Sequence, residues 1–250
     1  MAKKKQKKER ADSLAVSQGL CETVDMAKRH IMAGNIRIGS DYVIKNASEL
    51  VAVTTSLILN LPCPYVSRGA FKLIPALDSH LPQLHTLTAL DIGASTGGFT
   101  DLMLQRGAVK VYTIDVGRGQ LHQKLRLDPR VVCHEQINAR NLESDFLPEK
   151  VDLMTMDVSF ISVTKVLPSV NVFLKKEGMA FILIKPQFEA EKHEIMQGGV
   201  VKDESIRLKY VQQVIAFAAS ALNWQQIEVI PSPIKGPKGN QEYLAIFKKT

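Results

Sequence analysis

Four charged residues stand where an ordinary globular chain rarely places them. Lys72 lies in S-R-G-A-F-K-L, Asp157 ends the apolar run V-D-L-M-T-M-D, Lys185 interrupts F-I-L-I-K-P-Q-F, and Glu242 opens the strand-like N-Q-E-Y-L-A-I-F. An ammonium inside an apolar strand costs several kcal/mol unless it is paired or its pKa falls. A lysine in that position suits chemistry on a hydroxyl, a poor nucleophile whose proton must be removed or whose lone pair must be aimed. Two carboxylates and a second lysine would hold such a group in place. Taken alone, Lys72 reads as a solvent-facing lysine on a helix that Ser67 would cap; Lys185 is harder to read that way.

A second cluster has the chemistry of a ligand site. The expected strand at Thr88 runs into G-A-S-T-G-G-F-T and then a helix ending near Gly107. Gly93, Gly97 and Gly98 let the backbone turn tightly and approach a ligand, and Ala94, Ser95, Thr96 and Phe99 complete the loop. Asp91 and Asp115 are strand-end carboxylates, and Asp115 follows Gly97 at about the spacing where an acid meets a ribose hydroxyl. A dinucleotide would want G-x-G-x-x-G and a pyrophosphate on the helix N-terminus, whereas these glycines are spaced G-x-x-x-G-G behind an aspartate. S-adenosylmethionine carries an ammonium and a sulfonium and no phosphate, so Asp91 favours it. Asp157 is expected at the border of this site as well as in the first cluster. Asn138 reads equally as a hydrogen-bonding partner for an adenine edge and as a turn-forming residue. Methyl transfer to a base nitrogen typically uses an Asn/Asp-Pro-Pro-aromatic segment, and transfer to C5 a catalytic cysteine. Here Val158 follows Asp157, and that strand has no cysteine.

The elements that must position these residues form an α/β pattern. Strands are expected at Thr88–Gly93, Val109–Asp115, Val131–Gln136, Val151–Val158, Met179–Lys185, Gln226–Ile230 and Tyr243–Lys248, with helices between them. The last connection holds Pro231, Pro233, Gly236, Pro237 and Gly239 and is too broken for a crossover helix. The final two strands should therefore pair antiparallel, giving a seven-stranded Rossmann-like sheet with an antiparallel last strand. Residues 61–64, with two prolines, read as a linker to a small α+β domain over residues 10–60. There one helix should run to Gly19, and a second should start at an N-cap Thr23 and end before Gly34. Met26, Ala27, His30 and Ile31 would share its apolar side, with Lys28 and Arg29 opposite. Short strands around Ile36 to Ile38 and Val43 to Ile44 should follow.

Composition sets the remaining bounds. The formal charge is +7, but residues 1–10 hold six Lys/Arg against one Glu, so the tail of residues 1–9 reads as a solvated basic arm. Cys21, Cys63 and Cys133 form no C-x-x-C pair, which argues against a disulfide framework and a zinc site. There is neither a bilayer-length apolar run nor a signal-peptide core after the lysines, so the cytoplasm is the expected location.

The N-terminal stretch R-A-D-S-L-A-V-S-Q-G-L-C-E-T-V-D-M-A-K-R-H-I-M-A-G-N-I-R-I-G resembles the ribosomal-protein-S-four-like RNA-binding domain. That resemblance implies contact with structured RNA through Lys28, Arg29 and Arg37. Residues 65–250 resemble the FtsJ-like ribose methyltransferases, whose Lys-Asp-Lys-Glu tetrad falls on Lys72, Asp157, Lys185 and Glu242. More narrowly, Y-V-S-R-G-A-F-K-L, D-I-G-A-S-T-G-G-F-T, M-D-V-S-F-I-S, L-I-K-P-Q-F-E and G-P-K-G-N-Q-E-Y look like the TlyA family, also called haemolysin A. The resemblance implies 2′-O-methylation of cytidine in ribosomal RNA and leaves monomer and homodimer open. It also raises two rivals: an RNA-binding assembly factor with an inactive methyltransferase domain, and a membrane-damaging toxin. Retention of all four tetrad residues opposes the first. The second would require a long amphipathic membrane-inserting stretch that the sequence lacks.

Overall fold

A computed structural model describes residues 6–250, so residues 1–5, most of the expected basic tail, lie outside the described residues. The chain divides into two units, one ending at Pro64 and one beginning at Tyr65.

The end of the expected tail is not a free arm. Strand β1 (Lys8–Arg10) leads into helices α1 (Ala11–Ser17) and α2 (Val24–Met32). Strands β2 (Ile36–Ile38), β3 (Tyr42–Val43), β4 (Leu50–Ala52) and β5 (Leu57–Leu59) complete the unit. β1 pairs antiparallel with β4, and Arg10 meets the buried Asp12 at 2.6 Å, so this part of the tail is ordered by pairing and charge. The second sheet has the order β3-β2-β5. Thr23 caps α2 by accepting from the Met26 N–H, and Gly34 follows the helix with φ +73°. Ala27 and Ile31 point into a core with Leu14, Ile36, Ile44 and Leu57.

In the larger unit, the chain runs α3 (Ala70–His80), β6 (Thr88–Ile92), α4 (Gly98–Gln105), β7 (Lys110–Asp115), α5 (Gln123–Arg126), β8 (Val131–Glu135) and β9 (Val151–Met156). It continues through α6 (Leu167–Val170), β10 (Leu174–Ile184), α7 (Pro186–Glu189), α8 (Glu204–Leu222), β11 (Trp224–Pro231) and β12 (Tyr243–Lys249). The seven strands have the order β11-β12-β10-β9-β6-β7-β8. Only β12 runs against the others, antiparallel to both β10 and β11, as the broken last connection requires. Alternate residues face opposite layers: Leu90, Met154 and Ile182 lie in one core with α6 and α8, and Ala89, Leu153 and Phe181 in the other with α3 and α4. Burial on both faces is why these strands read as nearly continuous apolar runs.

Four expected strands end earlier than their sequence runs, β8 among them at Glu135, and the other three matter for the site. Gly93, Asp157 and Lys185 all fall just outside the sheet, beyond Ile92, Met156 and Ile184. Gly93 turns away with φ +76°, and Lys185 precedes Pro186, which has no N–H to continue a ladder. β10 in turn begins earlier than expected, at Leu174, through an irregularity before Met179. Ser67 does not cap α3: the N-cap is Gly69, and the Ser67 hydroxyl accepts from the Gly69 N–H in the preceding turn. Among the described residues, no helix is long and apolar enough to cross a membrane.

Candidate active site

The early strand exits decide the geometry. β6, β9 and β10 are parallel, so Gly93, Asp157 and Lys185 emerge together at the carboxyl edge of the sheet. β12 is reversed and pairs Tyr243 with Ile184, so the residue before it, Glu242, arrives at the same edge. Lys72 reaches this edge from the first turn of α3, because Gly98 packs against Ser67 and Ala70 so closely that a Cβ there would collide with them.

These four residues form one ion-pair group. Lys185 Nζ lies 2.6 Å from Asp157 Oδ1 and donates to Ser159 Oγ at 2.7 Å. Lys72 Nζ lies 3.3 Å from Asp157 Oδ2 and 2.8 Å from Glu242 Oε2. The Lys185 and Glu242 side chains are 7% and 0% exposed, so neither charge is left to water. Burial works to lower the pKa of Lys72, but Asp157 and Glu242 outweigh it and hold the ammonium above its ordinary value. Glu242 Oε1 has no hydrogen-bond partner and faces Gly236, where any side chain would collide with the carboxylate. Pairing thus meets the cost of embedding a lysine in apolar surroundings.

Two adjoining cavities open beside this group. The first, about 270 Å³, gathers the charged side chains: Asp91, Ser95, Thr96 and Gly98 line it together with Lys72, Asp157 and Lys185. Gly93, Ala94 and Phe99 belong to the same wall. The second, about 460 Å³, is largely apolar, with Ile114, Val116, Ile137, Val158 and Ile161 around Asp115 and Asn138. Gly93, Ser95, Asp157 and Ser159 border both. A side chain at Gly93 would meet the Asp157 carbonyl oxygen at 2.7 Å, so the loop can touch the β9 exit only as glycine.

The carboxylates are held from behind. Asp115 accepts from the Ser95 and Gly117 N–H groups at 2.8 and 2.7 Å. Asp91 is buried and accepts from Thr100 Oγ1 at 2.6 Å and Thr155 Oγ1 at 2.9 Å. Burial outweighs both bonds and pushes its pKa from 3.8 up to about 6. A buried carboxylate with that pKa, facing the first cavity, fits a cationic ligand group.

Other expected residues fall elsewhere. Gly97 lines neither cavity; its φ of +95° and missing Cβ make room for Leu121 and Leu125. Asn138 borders the second cavity, but its side-chain oxygen accepts from the Arg140 N–H, so it is turn-forming as well. In the smaller unit, Arg29 is exposed, Lys28 pairs with Asp25 at 3.1 Å, and the half-buried Arg37 has an Nε without a partner.

Sequence reasoning missed Ser159, Thr100, Thr155 and Phe160. The threonines stand out as polar residues inside apolar elements, a signal that was available. Phe160, 90% exposed with φ +65° and resting on Phe188 at 5.1 Å, gives no such signal.

The FtsJ-like methyltransferase family matches residues 65–249. The chain belongs to that family. It is 41% identical to the 16S/23S rRNA (cytidine-2′-O)-methyltransferase TlyA of Mycobacterium tuberculosis over 94% of this chain and 88% of that protein. A solved chain from Streptococcus thermophilus that bears a hemolysin name is 42% identical, with a TM-score of 0.73 over 98% of this chain and 90% of that one. The N-methyltransferase NodS of Bradyrhizobium japonicum, solved with S-adenosyl-L-homocysteine, is 14% identical with a TM-score of 0.51, covering 72% of this chain and 85% of that one. That last likeness is one of fold alone. Membership makes the sheet, its reversed strand and the loop after β6 parts of a methyltransferase.

The buried Asp91 charge should cost the protein stability. Its folded pKa is raised, so the native state holds an extra proton between about pH 4 and pH 6, and stability falls as pH rises through that window. Asp91→Asn should flatten this slope and stabilise the ligand-free protein at pH 7.5 by up to about 3 kcal/mol. Urea unfolding at pH 4.5 and 7.5 tests this, and a wild-type slope in the variant would show that the charge carries no such cost.

Proposed function

We propose that this chain transfers a methyl group from S-adenosylmethionine to a ribose 2′-hydroxyl of ribosomal RNA, with cytidine as the target nucleoside. The observation that carries the reading is the Lys72–Asp157–Lys185–Glu242 group, whose Asp157 borders both cavities, in a family of methyltransferases. The relatives' cytidine-2′-O activity supports the choice of hydroxyl and base. Ribosomal RNA as substrate carries with it a cytoplasmic location.

The cofactor reading rests on fit. Asp115 is aimed by two backbone N–H groups at the apolar cavity, where it would accept from ribose hydroxyls. Ile114, Val116, Ile137 and Ile161 would cover the adenine, with Asn138 at its edge. Asp91 and the loop from Gly93 to Phe99 would hold the amino acid end in the first cavity. S-adenosylmethionine, when bound, supplies an electrophilic methyl group on a sulfonium.

Lys185 acts directly on the 2′-hydroxyl. As the free amine, having released its ammonium proton before the step, its Nζ would aim the oxygen and accept the hydroxyl proton. Asp157 and Ser159 fix the direction of that nitrogen. Lys72 is the weaker candidate for moving a proton, because two carboxylates hold it charged. Its role is to keep Asp157 and Glu242 together. The smaller unit serves as the S-four-like RNA-binding domain, offering Lys28, Arg29 and Arg37 to structured RNA. Complete presence of the tetrad in one ion-paired group favours an active enzyme over an inactive assembly factor.

Lys185→Ala should lower single-turnover transfer of labelled methyl to ribosomal RNA by about a hundred- to ten-thousand-fold while cofactor binding persists. Lys185→Arg should fail as well, since a guanidinium does not release its proton near neutral pH. Near-wild-type rates in either variant would refute this role. Asp115→Ala should weaken S-adenosylmethionine binding by about ten- to a hundredfold in calorimetry, the loss of hydrogen bonds to a charged group; unchanged binding would remove it from the site. Lys28→Glu with Arg29→Glu, and separately Arg37→Gln, should weaken RNA binding and flatten its salt dependence without altering cofactor affinity. An unchanged salt slope would mean that this face is merely solvated.

A further inference from the structure

The connection between β11 and β12 contains a turn that the tetrad does not account for. Pro237–Gly239 forms one tight turn, and Pro237 lines the first cavity with Lys72 and Lys185. Between Pro237 and Gly239, Lys238 sits in the left-handed region at φ 59°, ψ 16°, a conformation that costs a lysine free energy. Its ammonium, like that of Lys235, has no ion-pair partner among the described residues. Residues 231–241 contain no acid, so the turn is wholly cationic.

One buried side chain holds it. Asn240 is 4% exposed, and its amide is fully used: Oδ1 accepts from the Val201 N–H at 3.2 Å, and Nδ2 donates to the Gly199 and Pro237 carbonyls at 2.9 and 3.3 Å. It thereby ties the Pro237 turn to a second turn at Gly198 and Gly199, both with positive φ, whose flank from Ile195 to Lys202 also lacks an acid. The Gly236 N–H donates to the Asn240 carbonyl at 2.9 Å, closing the loop that seats Gly236 against Glu242. Of this turn Pro237 reaches the cavity wall, while the exposed Lys238 carries its ammonium beside the site, near Gly199, with no carboxylate among the described residues to hold it.

A substrate ribose explains the arrangement. The 3′-phosphate stands on the carbon next to the one bearing the 2′-hydroxyl, so a ribose seated at Lys185 brings an anion to the side of the site where the Pro237 turn carries Lys238. We propose that the turn from Gly236 to Asn240 grips an RNA phosphate beside the target ribose, with Lys238 as the contact and Asn240 as its positioning residue. The proposal rests on the reading of the site as an RNA 2′-O-methyltransferase. Lysine meets phosphate as a point charge, which tolerates either neighbouring phosphate and any base.

Steady-state transfer of labelled methyl from saturating S-adenosylmethionine to unmethylated ribosomal RNA, at several KCl concentrations, tests it. Lys238→Ala should raise the KM for RNA about tenfold, leave kcat within about twofold, and flatten the salt dependence of kcat/KM by about one phosphate contact. Lys238→Arg should restore most of the loss. Asn240→Ala should raise the same KM, and the double variant should be no worse than the poorer single one, because the two act as a unit. Multiplicative losses would overturn the positioning role of Asn240. A wild type that methylates RNA beside a Lys238→Ala variant of unchanged KM and salt slope would overturn this proposal alone. A wild type that methylates no RNA would overturn the underlying reading and this one with it. Lys238→Ala is a surface change and decides the matter even if Asn240→Ala does not fold.

Discussion

Two lysines and two carboxylates share a space that largely excludes water, and none of the four could stay there unpaired. Removing either partner from a buried ion pair strands the other, at a cost of about 3–5 kcal/mol. The group is therefore a constraint on the fold as much as a piece of chemistry. It requires two strand exits, the entry to a reversed strand and one helix turn to arrive at one point with side chains converging, and much of the larger unit can be understood as meeting that demand. Asp157 is the common member, with one oxygen toward Lys185 and the other toward Lys72.

The reversed strand β12 is what completes the group. Parallel strands present their carboxyl ends at one edge, where ligand crevices form in open α/β sheets. A strand running the other way presents its first residue there. Glu242 is thus delivered from the opposite chain direction, next to Lys185, in the pairing of Tyr243 with Ile184. This arrangement demands a loop that returns to the active edge without a crossover helix. That loop is used: Gly236 backs the Glu242 carboxylate, and Pro237 forms part of the cavity wall.

Glycine positions show how tightly the parts are fitted. Gly93 touches the β9 exit, Gly98 admits the start of α3, and Gly97 admits Leu121 and Leu125. From the sequence all three read as one ligand loop, yet only two of them line a cavity. The third provides room for packing, and the local spacing could not distinguish these uses.

Local sequence was enough to establish the α/β class, the order of the strands along the chain and the antiparallel last pair, and to single out Lys185 as a charge in need of a partner; the set of four came from the family resemblance. What local sequence established has a local cause: apolar runs of strand length, a proline- and glycine-broken connection, and a charge whose presence in apolar surroundings demands a reason. Tertiary contacts set where each strand stops, that Lys8–Arg10 pairs with Leu50–Ala52, that Gly69 and not Ser67 begins α3, and how the four charges divide among themselves. Those outcomes depend on partners tens of residues away. A ladder ends where its neighbour ends, a tail is ordered only if an edge strand waits for it, and an ammonium is bound or free according to which carboxylates the fold brings within reach.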